Sequence, residues 1–276
     1  MKGVYIALMS FYTSLYSGSS GNCAVVQSGE YSLLIDMGKN CKQTCAALEL
    51  IGQSPAKLSG ILVTHEHSDH ISGLKVFLKK YKIPVYGGAA TLDYLAEYGL
   101  VPNDAQLVAI DGAPEDIDGF SVTAFETSHD SVACRGFHIS APDGHRVSIA
   151  TDLGVVTPQV YEYLKNSDMV ALEANYDKIM LMFGAYPHYL KVRIASERGH
   201  LCNEETAQTI SRLVRDGCKK FALCHLSREN NTPQRALDTV METLVSENGC
   251  SALQLFENGI SVSVNRRNEV SETIEF

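Results

Sequence analysis
Short apolar runs alternate with polar, Gly-rich and helix-spaced stretches along the chain, and their periods sort it into strands and helices. Residues 4–12 and 23–28 read as strands, joined by Ser17-Gly18-Ser19-Ser20-Gly21-Asn22, a turn too rich in Gly and Ser to be regular. Residues 31–36 form a third apolar run ending at Asp36, and helical spacing predicts a helix over 41–51. Gly60-Ile61-Leu62-Val63 reads as a buried strand, with a helix from about 71 to 81, a short strand at 83–86 and a helix over 89–98. That alternation is typical of an α/β layer. From 107 to 150 the runs become short and β-like between Gly, Asp and Pro turns, which predicts antiparallel strands. Beyond them the pattern predicts a helix at 160–164, a buried strand at 169–173 and a helix at 204–214 with Asn203 as its N-cap. A strand at 221–224, a helix at 233–246 and two short strands complete the chain. No fixed-period repeat or low-complexity linker divides it, so we expect one α/β domain over residues 1–276, in two β-rich halves each covered by helices.

Composition narrows the class. A chain of 276 residues can bury a substantial core, and 45% hydrophobic with 20% charged residues excludes a disordered one. The net charge of −9 gives no global case for nucleic acid, so such a function must rest on a local basic patch. Eight cysteines show no CxxC pair, and they read as reduced thiols of a cytoplasmic protein. Lys2 and the apolar run 4–9 faintly suggest an export signal, but the run is short and lacks a clear cleavage site. No stretch approaches the ~20 apolar residues of a membrane span.

The candidate chemistry sits at strand ends. Within Thr64-His65-Glu66-His67-Ser68-Asp69-His70, three histidines and an aspartate occupy six positions at the end of a buried strand. On an extended segment His65 and His67 point to one side, while Glu66 points away. Asp69 and His70, past the turn at Ser68, approach the same point from the next element. Asp36, His129, Asp152 and His225 stand in the same context, each at or just past the end of an apolar run. Ligands of α/β sheets gather beyond strand ends, so the repeated placement points to one shared site. Imidazole and carboxylate are donors for zinc, manganese or iron.

His65-x-His67-x-Asp69-His70 followed by His129, Asp152 and His225 resembles the metallo-β-lactamase superfamily over nearly the whole chain. The resemblance implies a four-layer αββα sandwich with two divalent metal ions at one edge. It implies His65, His67 and His129 as ligands of the first metal, Asp69, His70 and His225 as ligands of the second, and Asp152 as the bridge. Asp36 would orient the site from behind. Two metals ~3.5–4 Å apart can hold a bridging hydroxide and polarise the scissile oxygen; Asp69 is placed both to bind metal and to accept a proton. Asp152 stands where class B β-lactamases usually carry Cys, Thr127-Ser128-His129-Asp130 departs from the glyoxalase-II pattern, and the Asp152–His225 span is too short for a β-CASP insertion.

The pieces Gly18-Ser19-Ser20-Gly21-Asn22, Asp36-Met37-Gly38, Thr151-Asp152-Leu153-Gly154, Leu172-Glu173-Ala174-Asn175 and Gly199-His200-Leu201-Cys202-Asn203 resemble the YycJ/VicX (WalJ) group of bacterial proteins. The group usually has Ser where this chain has Cys202. That resemblance implies a DNA-directed 5′→3′ exonuclease linked to mismatch repair. Lys191, Arg193, Arg198 and Arg228 flank motif segments and are candidate phosphate binders. Asn203 is read either as a helix cap or at the substrate. His200 is read either as a packing residue or as a catalytic donor to the scissile phosphate. Residues 180–189 predict a loop or lid in which Tyr186, His188 and Tyr189 stack on single-stranded bases, or else cover the core or a homodimer contact. Two other readings stay open: a small-molecule phosphodiesterase, thioesterase or lactonase on the same metals, and a non-catalytic regulator with a vestigial site.

Overall fold
A computed structural model describes residues 9–276, so most of the apolar run weighed as an export signal, and the start of the first expected strand, lie outside the described residues. The first half supplies β1 (Ser10–Tyr16), β2 (Cys23–Ser28), β3 (Tyr31–Ile35), α1 (Cys41–Leu50), β4 (Gly60–Val63), α2 (Ser68–Ile71), α3 (Leu74–Lys80), β5 (Val85–Gly87), α4 (Ala89–Glu97) and β6 (Leu107–Ala109). The second supplies β7 (Glu115–Ile117), β8 (Phe120–Glu126), β9 (Arg135–Ser140), β10 (Arg146–Ala150), α5 (Pro158–Lys165), β11 (Met169–Glu173), α6 (Lys178–Phe183), α7 (His188–Ile194), α8 (Asn203–Arg215) and β12 (Lys220–Cys224). It ends with α9 (Pro233–Asn248), α10 (Ala252–Glu257), β13 (Ser261–Val264) and β14 (Ile274–Glu275).

Among the described residues these strands form two seven-stranded sheets, ordered β14-β1-β2-β3-β4-β5-β6 and β13-β12-β11-β10-β9-β8-β7. Each sheet begins as an antiparallel meander and continues in parallel through helical crossovers, from β3 to β6 in one and from β10 to β13 in the other. The apolar runs are continuous because each sheet is covered on both faces. Along β4, Leu62 enters the core between the sheets, whereas Ile61 and Val63 face the layer of α1, α3 and α4. Along β12, Ala222 faces the other sheet, and Phe221 and Leu223 face α5, α8 and α9. The result is the expected αββα sandwich, and the strand ends of both sheets meet at one edge.

Four local expectations change. The run at 107–109 joins the first sheet, parallel to β5, instead of the antiparallel set that follows it. The helix expected over 71–81 is broken, because the Gly73 amide bonds Met37 O at 3.0 Å and leaves the helical ladder. Residues 180–189 fold into the end of α6, a Gly184–Pro187 turn and the start of α7, with the Asp177 side chain capping α6. A further helix, α10, precedes the last strands, started by a capping box of Ser251 and Gln254.

Candidate active site
The site is built from backbone that turns sharply after each strand. Asp36, Asp152 and His225 have φ of 58°, 55° and 54°, and with Asp118 they are the non-glycine residues at positive φ among those described. The left-handed conformation is unfavourable for residues with a Cβ, and such strain is held where surrounding contacts over-determine it. Here it swings each side chain off the strand direction into one space between the sheets' ends. His65 and His67 follow β4, and α2 carries Asp69 and His70.

Four histidines are each anchored through one nitrogen. His70 Nδ1 donates to Asp36 Oδ2 at 2.7 Å, and the Thr64 amide and hydroxyl also donate to that carboxylate, each at 2.8 Å. His65 Nδ1 lies 3.0 Å from the Thr64 hydroxyl, His129 Nδ1 donates to Gly199 O at 3.0 Å, and His225 Nδ1 donates to Glu173 Oε1 at 2.7 Å. The tautomer that results presents each Nε2 to the centre. Three buried atoms there, His65 Nε2, His225 Nε2 and Asp152 Oδ2, have no hydrogen-bond partner. An unsatisfied buried polar atom costs about 1–3 kcal/mol, more for a charged one, and divalent cations held on either side of Asp152 would satisfy these three.

Ligand-type atoms gather into overlapping groups in which each lies within 4.8 Å of the others: His65, His67 and His129; Asp69, His70 and His225; His65, His70 and Asp152; and Asp152, Glu173, His200 and His225. The donor set fits two divalent cations, with Asp152 between the two outer groups. Its charges are strongly interdependent. Burial alone pushes the His70 ring down, but Asp152 and Asp36 outweigh it and hold the pKa at about 10. Burial pushes the Asp152 carboxyl up, yet His225 and His70 hold it well below the usual carboxylate range. Burial dominates at His65 and keeps that ring well below the usual imidazole range. Protons and cations therefore compete for the same carboxylates.

Glu173, at the end of the apolar strand β11, is fully buried and was given no role by sequence reasoning. Its Oε1 accepts from His200 Nδ1 at 2.8 Å as well as from His225, and its Oε2 accepts the amides of Leu153 and Leu201. Burial would raise its pKa, but His200 and His225 hold it at about 2. The signal was present in the strand-end pattern that marked the other site residues. Asn22, 3.0 Å from His70 Nε2, and Asn175, which donates to His225 O, also belong to the site, though sequence reasoning gave neither a role.

The expected substrate contacts divide. His200 reaches the site, its ring 5.1 Å from His129 and 5.2 Å from His225. Arg193 stands at its rim, paired with Asp130. Lys191 bonds Met182 O and ties α7 to α6, and Arg198 donates to His129 O at 3.1 Å, supporting a ligand-type residue. Arg228 is exposed, with Glu229 as its nearest acid. Asn203 needs correction. It is the first residue of α8, fully buried, and exchanges hydrogen bonds with the Asn231 amide, while Cys202 Sγ caps the helix. Fully buried and paired with Asn231 through both side-chain polar atoms, it is out of reach of a substrate and does not cap the helix. Glu66 points away as expected, accepting the Val132 amide.

A family model described as a β-lactamase superfamily domain matches residues 31–225. With the layered fold and the paired His/Asp groups, the chain belongs to the metallo-β-lactamase superfamily and is a metal-dependent hydrolase. Within that class it is similar to exodeoxyribonuclease YycJ of Bacillus anthracis, 34% identical over 247 residues, 89% of this chain and 93% of that one. It is similar also to exodeoxyribonuclease WalJ of Streptococcus pneumoniae serotype 2, 35% identical over 236 residues, 84% and 87% of the respective chains. Among solved structures it superposes on the metallo-β-lactamase fold protein YhfI from Bacillus subtilis with a TM-score of 0.67 at 20% identity, over 97% of this chain and 100% of that one. Among the described residues no helix is long and apolar enough to cross a membrane.

Proposed function
We propose that the protein is a two-metal phosphodiesterase that digests DNA from a 5′ end, working as a single metallo-β-lactamase-like domain in the cytoplasm. The observation that carries the reading is the pair of ligand groups joined by Asp152 in a chain about a third identical, over most of its length, to proteins named exodeoxyribonucleases. His65, His67 and His129 would hold one cation, and Asp69, His70 and His225 the other. The His-rich donors suit zinc or manganese, with iron the third candidate. Bound divalent cations polarise a phosphoryl oxygen and lower the pKa of water. Asp36 and Glu173 keep the rings of His70 and His225 in place for this. Asp69, partly exposed and 3.6 Å from both His70 Nε2 and His225 Nε2, is the carboxylate best placed to take a proton. His200, tied through Nδ1 to Glu173, turns Nε2 toward the substrate. Burial, the largest influence, lowers its pKa, but Glu173 and Asp152 together outweigh burial and raise it above the ordinary imidazole value, which favours the ring as a proton donor to the phosphate or the leaving oxygen. Arg193 stands ready for a phosphate at the rim. Mismatch repair is the process such an activity would serve.

The test is digestion of end-labelled single- and double-stranded DNA by metal-stripped protein with zinc, manganese or magnesium restored. Stepwise loss from the 5′ end that depends on added metal is expected. Absence of DNA cleavage with every metal, alongside hydrolysis of a simple phosphodiester or thioester, would replace the reading with a small-molecule hydrolase.

A further inference from the structure
Beside the metal-facing histidines lies a cavity of about 180 Å³ that the scheme above leaves unused. Tyr186, Leu190 and Ile194, from the α6–α7 turn and α7, form one wall. Gly199, His200 and the Arg193–Asp130 ion pair complete the lining. The aromatic wall is anchored, because Tyr186 and Ile194 pack on buried Tyr176, Leu181 and Cys202. The cavity is also adjacent to the chemistry: Asp130 Oδ1 is 3.3 Å from His129 Nε2, and the His200 ring faces both His129 and His225. Apolar and aromatic plates with a donor and an acceptor at one edge suit a flat heterocycle that carries hydrogen-bonding groups. A cavity of this size has room for one ring system. Arg193 at the rim, whose side chain is more than half exposed beside Asp130, is the cation best placed for a phosphate next to such a base.

We propose that this pocket receives the unpaired nucleobase adjoining the scissile phosphate, so that the site selects ends whose terminal base is free to leave its stack. The proposal rests on the exonuclease reading. The test compares digestion, by metal-loaded full-length protein, of two 5′-labelled single strands, one natural and one whose terminal residues are base-free sugar–phosphate spacers. Loss of base stacking should slow the base-free strand roughly 10- to 100-fold. In Leu190→Trp, whose indole fills the cavity, the natural strand should slow by a similar factor, and the difference between strands should vanish. The comparison of strands is made in the wild-type protein, so it stands even where the variant fails to fold. Equal rates on the two strands would overturn the pocket while leaving the exonuclease reading intact. Digestion of neither strand, by protein whose metal content is measured, would overturn both.

Discussion

Asp36-Met37-Gly38 follows β3 and Asp152-Leu153-Gly154 follows β10, and the two turns are built alike. Both aspartates take positive φ, 58° and 55°, and both middle residues are fully buried. Both glycines press on another backbone: a Cβ on Gly38 would lie 1.7 Å from Asp69 O, and one on Gly154 would lie 2.3 Å from Ser196 O. The strands before them occupy matching places, each the last of an antiparallel meander and the first of a parallel run. Their carboxylates nevertheless have different fates. Asp36 is saturated by the Thr64 amide, the Thr64 hydroxyl and His70 Nδ1. Asp152 has one oxygen without a hydrogen-bond partner and stands among the rings of His70, His129, His200 and His225 at 3.2–3.9 Å. The same local device thus makes a support in one half and a cation-binding group in the other. What surrounds the carboxylate decides between them, since three donors already occupy both oxygens of Asp36.

The comparison breaks most decisively at Asp152. Asp152→Ala should remove bound metal and lower hydrolysis on the order of 10³-fold, because the lost cation interaction is worth several kcal/mol. Metal analysis beside a turnover assay checks it, and full activity in this variant would refute a shared site. Asp36→Asn should cost less, about 10- to 100-fold in metal affinity or activity, the usual scale for a group that orients a ligand. Titration with zinc or manganese measures that difference, and equal losses in the two variants would erase the distinction drawn between the turns.

The smallest effect is on stability in metal-free protein. His70 has its folded-state pKa raised to about 10 from an ordinary 6.5, so its stabilising contribution is complete below about pH 6.5 and is lost as pH rises toward 10. His225 and His200 are raised too and act with the same sign. Asp152 and Glu173 have finished titrating by then and add no slope, while His65 and His129, lowered in the folded state, add a small opposing slope that fades above pH 7 as the unfolded rings lose their last protons. The melting temperature of stripped protein should therefore fall between pH 7 and 8.5. Asp152→Ala should flatten the fall more than Asp36→Asn, since Asp152 acts more strongly on the ring than Asp36 does. Added metal should reverse the trend, because binding displaces protons. A melting temperature independent of pH in the stripped protein would show that these rings do not carry the charge assigned to them.

Much of this was legible in the chain. Strands buried on both faces announced themselves as continuous apolar runs, and the polar residues at their ends were visible as interruptions. His65, His67, Asp69 and His70 are neighbours, so the period of a strand and one turn of helix suffice to converge them. Helix α10 and the cap of α8 were misjudged for local reasons, since Ser251–Gln254 was overlooked and Cys202, an uncommon cap, displaced Asn203. The parallel pairing of β6 with β5 depended instead on a crossover that periodicity does not describe.

Which residues can serve as ligands, and that each lies at or just past a strand end, follows from the chain alone, because side-chain chemistry and the two-residue period are local properties. That Asp36 and Asp152, each followed by an apolar residue and a glycine, take opposite parts depends on the packed fold. It alone made Glu173 the shared support of His200 and His225, withdrew Asn203 behind Asn231, and set Tyr186 and Arg193 around a cavity at the edge of the site. Those contacts join residues tens of positions apart, and they exist only once two sheets pack with their strand ends at one edge.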